Sequence, residues 1–268
     1  MANASLDTLR RTVLGMLVPA LVLVIWQVAG SRPDMAGILP TPMLVLEGWH
    51  GWIFGSPGMG LNPYLGSWVS NVQYSSMRVA QGFVLAALIG VPLGLLIGWS
   101  RLVQQLFDPL IQSLRPIPIT AWLPFSIALF GIRDMGAIFL IFLGGFYAIV
   151  VNTTQGARDV ERNLVRAALM MGASRKQLLY RVVLPAAMPS IFTGLRIGLG
   201  ISWTAVIVPE MVAVKSGLGY VLWDAYYVGR MDIVLADMVS IGIMGFLSDR
   251  LIVFIESKVL VWRMLQSH

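Results

Sequence analysis

The composition of this 268-residue chain is that of an integral membrane protein. Hydrophobic residues make up 57% of the chain and charged residues 12%, about half of the roughly 25% charged residues in a soluble domain. So little charge excludes a disordered chain, a coiled coil and an ordinary cytosolic enzyme, and it predicts an all-α protein embedded in lipid. The net charge of +6 indicates basic cytoplasmic loops and not nucleic-acid binding, because no basic cluster lies on a polar domain.

No combination of residues indicates catalysis or a metal site. The chain has no cysteine, which excludes thiol nucleophiles and thiolate metal ligands. Its two histidines, His50 and His268, lie far apart in the sequence, so we expect neither a zinc site nor a serine–histidine pair. A P-loop needs lysine after glycine, and Lys176, Lys215 and Lys258 do not meet that condition. The chain is therefore expected to bind no cofactor and to have no enzyme activity.

The N-terminal part predicts one retained membrane helix followed by an external segment. Thr12–Ser31 is free of charge, is too long for the apolar core of a signal peptide and is followed by no Ala-x-Ala cleavage site. Residues 31–75 contain five prolines and three tryptophans, which break helices and favour the membrane interface respectively. We therefore predict an external loop lying on the bilayer, with a short helix near Met43–Phe54.

Five further apolar segments complete a prediction of about six transmembrane helices. They are Val79–Ser100, Pro116–Ile132, Met135–Ala157, Leu184–Val214 and Ile233–Phe254. The prolines of the second predict a broken helix before Trp122, and Lys215–Asp232 is predicted to be an external loop. Six spans place both termini on one side, and the basic residues near both ends predict that this side is cytoplasmic.

Three glycines recur every four residues in the segment Val79–Ser100, namely Gly90, Gly94 and Gly98. Small residues at this spacing allow close contact between helices. The pattern is compatible with plain helix packing or with a bending helix that lines a pathway.

A basic loop between Arg158 and Arg181 has the pattern of a compact helix–glycine–helix elbow. Apolar residues recur at helical spacing up to Met171, and Gly172 follows at a position that suits a left-handed C-cap. Ser174 and Gln177 form a capping-box pattern, and the second helix is predicted to end at Pro185, where the chain re-enters the membrane. Such an elbow either docks on a protein partner or rests on anionic lipid.

This segment resembles the cytoplasmic signature of binding-protein-dependent ABC importer permeases. That signature is Glu-Ala-Ala, three residues, Gly, nine residues, Ile, one residue and Leu-Pro; Arg166 stands at the Glu position and Val182 at the Ile position. The resemblance implies that the segment 158–184 couples the chain to an ATPase. The implied coupling residues are Arg166, Ala167, Ala168, Gly172, Ala173, Ser174, Leu178, Leu184 and Pro185.

The resemblance extends over nearly all of Arg78–Arg263. Leu114–Pro118, Ala121–Pro124, Thr193–Arg196 and Glu210–Gly219 are similar to permeases for aliphatic sulfonates, taurine, nitrate and bicarbonate. This implies a type I ABC importer permease fold, with residues 1–268 as one transmembrane domain that pairs with a second copy. The implied partners are separate ATP-using ATPase subunits, a periplasmic or lipid-anchored substrate-binding protein and the lipid of a bacterial inner membrane. The alternative is a secondary transporter or channel for a small anion, which would leave the elbow unexplained.

Four residues in or beside the predicted spans are candidates for the transport pathway. Arg196 suits an oxyanion, while the alternatives are a structural arginine that bonds to backbone carbonyls or one that extends toward the cytoplasm. Arg78 is a candidate for substrate contact or for anchoring a helix. Glu210 is expected near the external mouth, in an interhelical bond or a cap, and Trp203 in a passage or in the core.

Overall fold

The computed structural model describes residues 2–35, 37–55 and 63–260, with side chains from residue 14 onward. In these residues all regular structure is helical, as the composition predicts. The helices are α1 (Ala2–Gly30), α2 (Pro42–Phe54), α3 (Trp68–Trp99), α4 (Arg101–Leu114), α5 (Leu123–Phe130), α6 (Asp134–Arg158), α7 (Arg162–Met170), α8 (Arg175–Leu178), α9 (Leu184–Val212), α10 (Leu218–Tyr227) and α11 (Met231–Val259), with a 3₁₀ turn at Ile119–Trp122 and a π turn at Leu179–Val183.

Four helical segments of the described chain are long and apolar enough to cross a membrane. They are α3, α6, α11 and the run Arg175–Val212, which contains α8, the π turn and α9. The first predicted span corresponds to a shorter apolar helix, Leu14–Gly30. The third predicted span, Pro116–Ile132, contains the 3₁₀ turn and α5, so the broken helix expected before Trp122 is confirmed. The preceding helix α4 was not predicted, and it forms with Ile119–Phe130 a pair bent by 94°. Pro116 and Pro118 lie at the bend, where a proline cannot donate a helical hydrogen bond.

The short helix predicted near Met43–Phe54 is confirmed as α2, which starts at the cap residue Thr41 and ends at Gly55 with φ 68°. Two predicted loops differ from the structure in their bounds or in their helix content. Residues 68–75 belong to α3 and not to a loop, and α10 lies inside the predicted loop Lys215–Asp232. The prediction began the second span after Arg78 because that residue is charged, but a buried and paired arginine does not end a helix.

The close packing of α3 against α6 depends on glycines of α3. A Cβ atom added at Gly94 would lie 2.7 Å from Cβ of Thr153 and 2.8 Å from the backbone oxygen of Val150. At Gly98 it would lie 2.8 Å from the oxygen of Thr154. These approaches are closer than van der Waals contact, so the packing interpretation of the glycine pattern is confirmed.

Replacing Gly94 by alanine is therefore expected to destabilise the chain by about 1–3 kcal/mol, as overpacking of a close contact does. Gly242 in α11 is the matched control, because an added Cβ would meet nothing within 4 Å there. Thermal unfolding of the purified variants should show a lower midpoint for Gly94→Ala and an unchanged midpoint for Gly242→Ala. Equal midpoints for the two variants would contradict the packing assignment.

Internal contacts divide the chain into two compact units, one formed by Met1–Val69 and Val221–Val239 and the other by Ser70–Tyr220 and Ser240–His268. In the first unit the buried Trp52 donates a hydrogen bond from Nε1 to Ser67 Oγ at 3.1 Å, and Tyr64 donates to Asp224 at 2.7 Å. The second unit contains the α3–α6 contact and α9, and it carries the candidate sites. That residues 1–268 act as a single transmembrane domain stays a prediction.

Candidate functional site

The first helix of the elbow ends in the conformation that the sequence predicts. After α7, Gly172 has a left-handed φ of 82°. Its N–H donates to the oxygen of Leu169 at 2.9 Å, and the N–H of Ala173 donates to the oxygen of Ala168 at 3.1 Å. This pair of bonds is a Schellman motif, which satisfies the last carbonyls of a helix and turns the chain sharply.

The second helix of the elbow begins with the predicted capping box. Ser174 Oγ accepts from the backbone N–H of Gln177 at 3.3 Å, and the side-chain oxygen of Gln177 accepts from the N–H of Ser174 at 2.8 Å. Both turns of the elbow are thus held by local hydrogen bonds, and the chain here has a defined shape.

The predicted end of this helix at Pro185 is wrong. The chain continues without a break from Arg175 to Val212, a helical run of 38 residues. Pro185 lies in the first turn of α9, directly after the π turn at Leu179–Val183. The wider π turn leaves room for the proline ring, which would otherwise clash with the carbonyl four residues earlier. The elbow is therefore a direct extension of a membrane-spanning helix.

The elbow presents an apolar and basic surface. Met170 and Met171 are 84% and 82% exposed, and Leu169 and Tyr180 are also exposed. Among the predicted coupling residues, Ala168 and Leu178 are buried, Ala173, Leu184 and Pro185 are half-buried, and the others are exposed; these are Arg166, Ala167, Gly172 and Ser174. All the predicted coupling residues thus lie on the elbow or on its junction with α9.

A second cluster joins α3, α9 and the start of α10 through buried charges. Arg78 Nη1 lies 2.7 Å from Glu210 Oε1, with side chains 5% and 0% exposed. Glu210 also accepts hydrogen bonds from Ser75 Oγ and, at 2.9 Å, from the backbone N–H of Gly219. Arg78 Nε donates at 2.8 Å to Asp134 Oδ1 at the start of α6. The interhelical bond expected for Glu210 is therefore present.

The turn between α9 and α10 closes onto this cluster. Arg78 donates to the oxygen of Ser216 at 2.8 Å and to its hydroxyl at 2.7 Å. A Cβ atom on Gly217, which has φ 106°, would collide with the Glu210 carboxylate. A Cβ on Gly219 would lie 2.6 Å from the backbone oxygen of Ile207. Glycines at both positions are thus required for Glu210 to reach its partners.

A cavity of about 580 Å³ lies beside this cluster. Its lining includes the basic residues Arg78, Arg133 and Lys215 and the acidic residue Asp134. Basic side chains therefore outnumber acidic ones around the cavity.

The two remaining candidates connect α9 to α11. Arg196 pairs with Asp249 through Nε to Oδ1 at 2.8 Å and Nη2 to Oδ2 at 3.1 Å. The buried Trp203 donates from Nε1 to Ser248 Oγ at 3.0 Å. Arg196 thus has a partner that none of its three sequence interpretations included.

Sequence reasoning missed five side-chain partners of the candidate residues: Ser75, Asp134, Ser216, Ser248 and Asp249. Asp249 interrupts the predicted apolar segment Ile233–Phe254. A carboxylate within a membrane span needs a partner, so that position was itself a signal for an ion pair. Ser75 carries no comparable signal, since serine is common both in helices that cross the membrane and in helices that do not.

Comparison with known proteins agrees with the resemblance found in the sequence. A family model described as the inner membrane component of binding-protein-dependent transport systems matches residues 90–261. A putative ABC transporter permease of Methanocaldococcus jannaschii is 42% identical over 95% of this chain and 93% of its own length. The nitrate import permease NrtB of Synechocystis is 38% identical over 90% of this chain and 86% of its own length. The putative aliphatic sulfonates transport permease SsuC of Bacillus subtilis is 34% identical, with coverages of 93% and 87%.

A solved structure with the same fold is that of the MetNI methionine ABC transporter in an inward-facing conformation. The TM-score is 0.59 at 20% identity, over 71% of this chain and 97% of the matched chain. The comparisons support a transport subunit and give no support to a secondary transporter or channel. The chain belongs to the family of binding-protein-dependent transport system inner membrane components, and it is a multi-pass ABC importer permease with the type I importer fold.

Proposed function

We propose that this permease imports a small anion and takes its driving force from a separate ATPase that docks on the elbow 158–184. Two copies of the chain form the pathway, ATP is used by the ATPase and not by this chain, and an external binding protein delivers the substrate. The observation that carries this proposal is the elbow itself, because local hydrogen bonds hold its turns, it exposes apolar side chains and it is continuous with a membrane helix.

The exposed methionines of the elbow support docking on a protein. Met170 and Met171 are more than four-fifths exposed although they lie outside the apolar spans. Adjacent apolar side chains of this kind mark an interaction surface, and methionine adapts to the surface of a partner. Arg166 is exposed on the same helix, and we propose that docking there does not use the carboxylate of the family signature.

The continuity of the helix supports force transmission. The run Arg175–Val212 has 38 residues, which corresponds to about 57 Å at 1.5 Å per residue. A displacement of the elbow would therefore be transmitted directly to α9. Binding to lipid alone would not require two capped turns that are joined to a membrane-spanning helix.

A small anion is the substrate class that the relatives support. Their names include nitrate and aliphatic sulfonates, and a bicarbonate transport permease of Synechococcus elongatus is 39% identical over 69% of this chain. The excess of basic residues around the cavity beside Arg78 also favours a negatively charged substrate.

The proposal is tested by purifying the tagged chain from a strain that expresses its neighbouring genes, and reconstituting the complex in vesicles. We expect a P-loop ATPase to co-purify and ATP-dependent uptake of nitrate, bicarbonate or methanesulfonate when the binding protein is present. Replacing Met170 and Met171 by serine should reduce the ATPase recovered, while Met238→Ser, at an exposed position of α11, should not. Uptake without any ATPase would contradict the proposal.

We further propose that the chain lies in the bacterial inner membrane with both termini and the elbow in the cytoplasm and residues 31–75 outside. The natural absence of cysteine allows labelling of single introduced cysteines. Met35→Cys should react with an impermeant maleimide in intact cells, and Lys176→Cys only after lysis. The reverse pattern would invert the topology.

A further inference from the structure

The ion pair between Arg196 and Asp249 lies deep in the apolar part of the chain. Arg196 is twelve residues beyond the start of α9 and Asp249 is ten residues before the end of α11. At 1.5 Å per residue these positions are about 18 Å and 15 Å from those helix ends. Each helix has 29 residues and is about 44 Å long, so in a hydrocarbon core about 30 Å thick that is centred on the helices both charges lie about 8–11 Å inside its surface.

The pair is nevertheless partly exposed. The Arg196 side chain is 43% exposed and that of Asp249 is 33% exposed. A Cβ added at Gly200, one turn from Arg196, would meet nothing within 4 Å, so the space beside the pair is open. Charged groups at this depth face protein or a water-filled cavity, because contact with lipid is costly. The partly exposed pair therefore lies on a surface that lipid does not cover.

Only part of the guanidinium is occupied by Asp249. The carboxylate accepts from Nε and Nη2, which form one of the two forks of an arginine side chain. Among the described residues no acceptor lies on Nη1, so the second fork, between Nη1 and Nη2, remains accessible. A fork of two N–H groups matches two oxygens of a planar or tetrahedral oxyanion.

We propose that Arg196 binds the substrate anion during its passage and that Asp249 is its permanent counter-ion; this rests on the proposed function. The anion bonds to the fork between Nη1 and Nη2 while Asp249 keeps the fork between Nε and Nη2. Asp249 neutralises the arginine when no anion is present and weakens its hold on the anion. Weak binding is what transport requires, since the anion must also leave.

The test compares uptake of nitrate, bicarbonate and methanesulfonate by the reconstituted importer, with its ATPase and binding protein, for three variants. Arg196→Gln removes the charge and should lower uptake about tenfold or more, the effect of losing a charge-assisted hydrogen bond. The double variant Arg196→Gln/Asp249→Asn leaves no unpaired charge, and its uptake should remain equally low. The matched control is Arg230→Gln/Asp232→Asn, an ion pair of similar exposure at the start of α11, whose uptake should stay within about twofold of the unaltered importer.

The double variant distinguishes a role of Arg196 in the transport pathway from a purely structural role of the ion pair. If the pair only held α9 to α11, neutral partners that still form hydrogen bonds would restore uptake, and that result would overturn the inference. Failure of the double variant to assemble would overturn it as well, because the charges would then be needed for the fold. Uptake of none of the three anions by the unaltered importer would instead defeat the proposed substrate class, and the inference with it.

Thiol labelling tests for water beside the pair. In this cysteine-free chain, Gly200→Cys should react with a negatively charged methanethiosulfonate in the assembled importer, and saturating nitrate or methanesulfonate should slow the reaction. Gly15→Cys, in the apolar helix α1 and equally free of neighbouring atoms, should not react. Absence of labelling at Gly200→Cys in the assembled importer would place this face in lipid or in packed protein and contradict the pathway.

Discussion

The Glu210→Ala variant is expected to be strongly destabilised, by about 3–5 kcal/mol, the usual effect of leaving a buried charge without its partner. Glu210 is fully buried and accepts hydrogen bonds from Ser75, Arg78 and Gly219. Without Glu210, Arg78 keeps its ion pair with Asp134, whose side chain is 63% exposed, but it loses its buried partner between α3 and α9. The measurement is thermal unfolding of the purified complex in detergent.

Two further variants distinguish the loss of a partner from the loss of an ordinary contact. Asp134→Ala should change stability by about 1 kcal/mol or less, because Asp134 is largely exposed and Arg78 keeps Glu210 as its buried partner. The double variant Arg78→Met/Glu210→Leu should be more stable than Glu210→Ala alone, since it leaves no buried charge unpaired. If the double variant were the less stable of the two, the unpaired charge of Arg78 would not be the cause.

Gly172→Val is expected to lower ATP-dependent uptake roughly tenfold while the membrane helices stay folded. A left-handed backbone costs a β-branched residue about 1–3 kcal/mol, and about 1.4 kcal/mol corresponds to a factor of ten in a population. An added Cβ would meet nothing within 4 Å at Gly172, so the effect comes from φ alone. The measurements are uptake per assembled complex and recovery of the ATPase.

Asparagine provides the control at this position, because it adopts the left-handed conformation more readily than other residues with a side chain. Gly172→Asn should retain most of the uptake that Gly172→Val loses. Equal losses in both variants would show that the left-handed turn is not what the elbow needs.

Features that depend on neighbouring residues were predicted from the sequence. The left-handed Gly172 and the capping box of Ser174 and Gln177 involve hydrogen bonds that span a few residues, so the pattern of residue types contains them. The same holds for α2, which has its cap residue and its terminal glycine beside it. The spacing of Gly90, Gly94 and Gly98 likewise predicted a close helix contact, though not its partner α6.

Predictions that treated charge as a boundary failed. The second span was started after Arg78, but α3 begins at Trp68, because the charge of Arg78 is balanced inside the protein. The same reasoning left α10 unrecognised between Lys215 and Asp232. A hydropathy pattern reflects the free-energy cost of moving a charge into lipid, but it does not show which partner residue offsets that cost.

The sequence by itself determined the fold class, the positions of the apolar helices, the form of the elbow and the family. Only the tertiary structure decided which charges meet. Arg78 bonds to Glu210 across 132 residues of chain, and Arg196 bonds to Asp249 across 53. Hydropathy and helix capping act within a few turns of one helix, so they can be read along the chain. A pair between helices depends on the packing that brings their faces together, and no local pattern specifies which acidic residue an arginine in a membrane helix will reach.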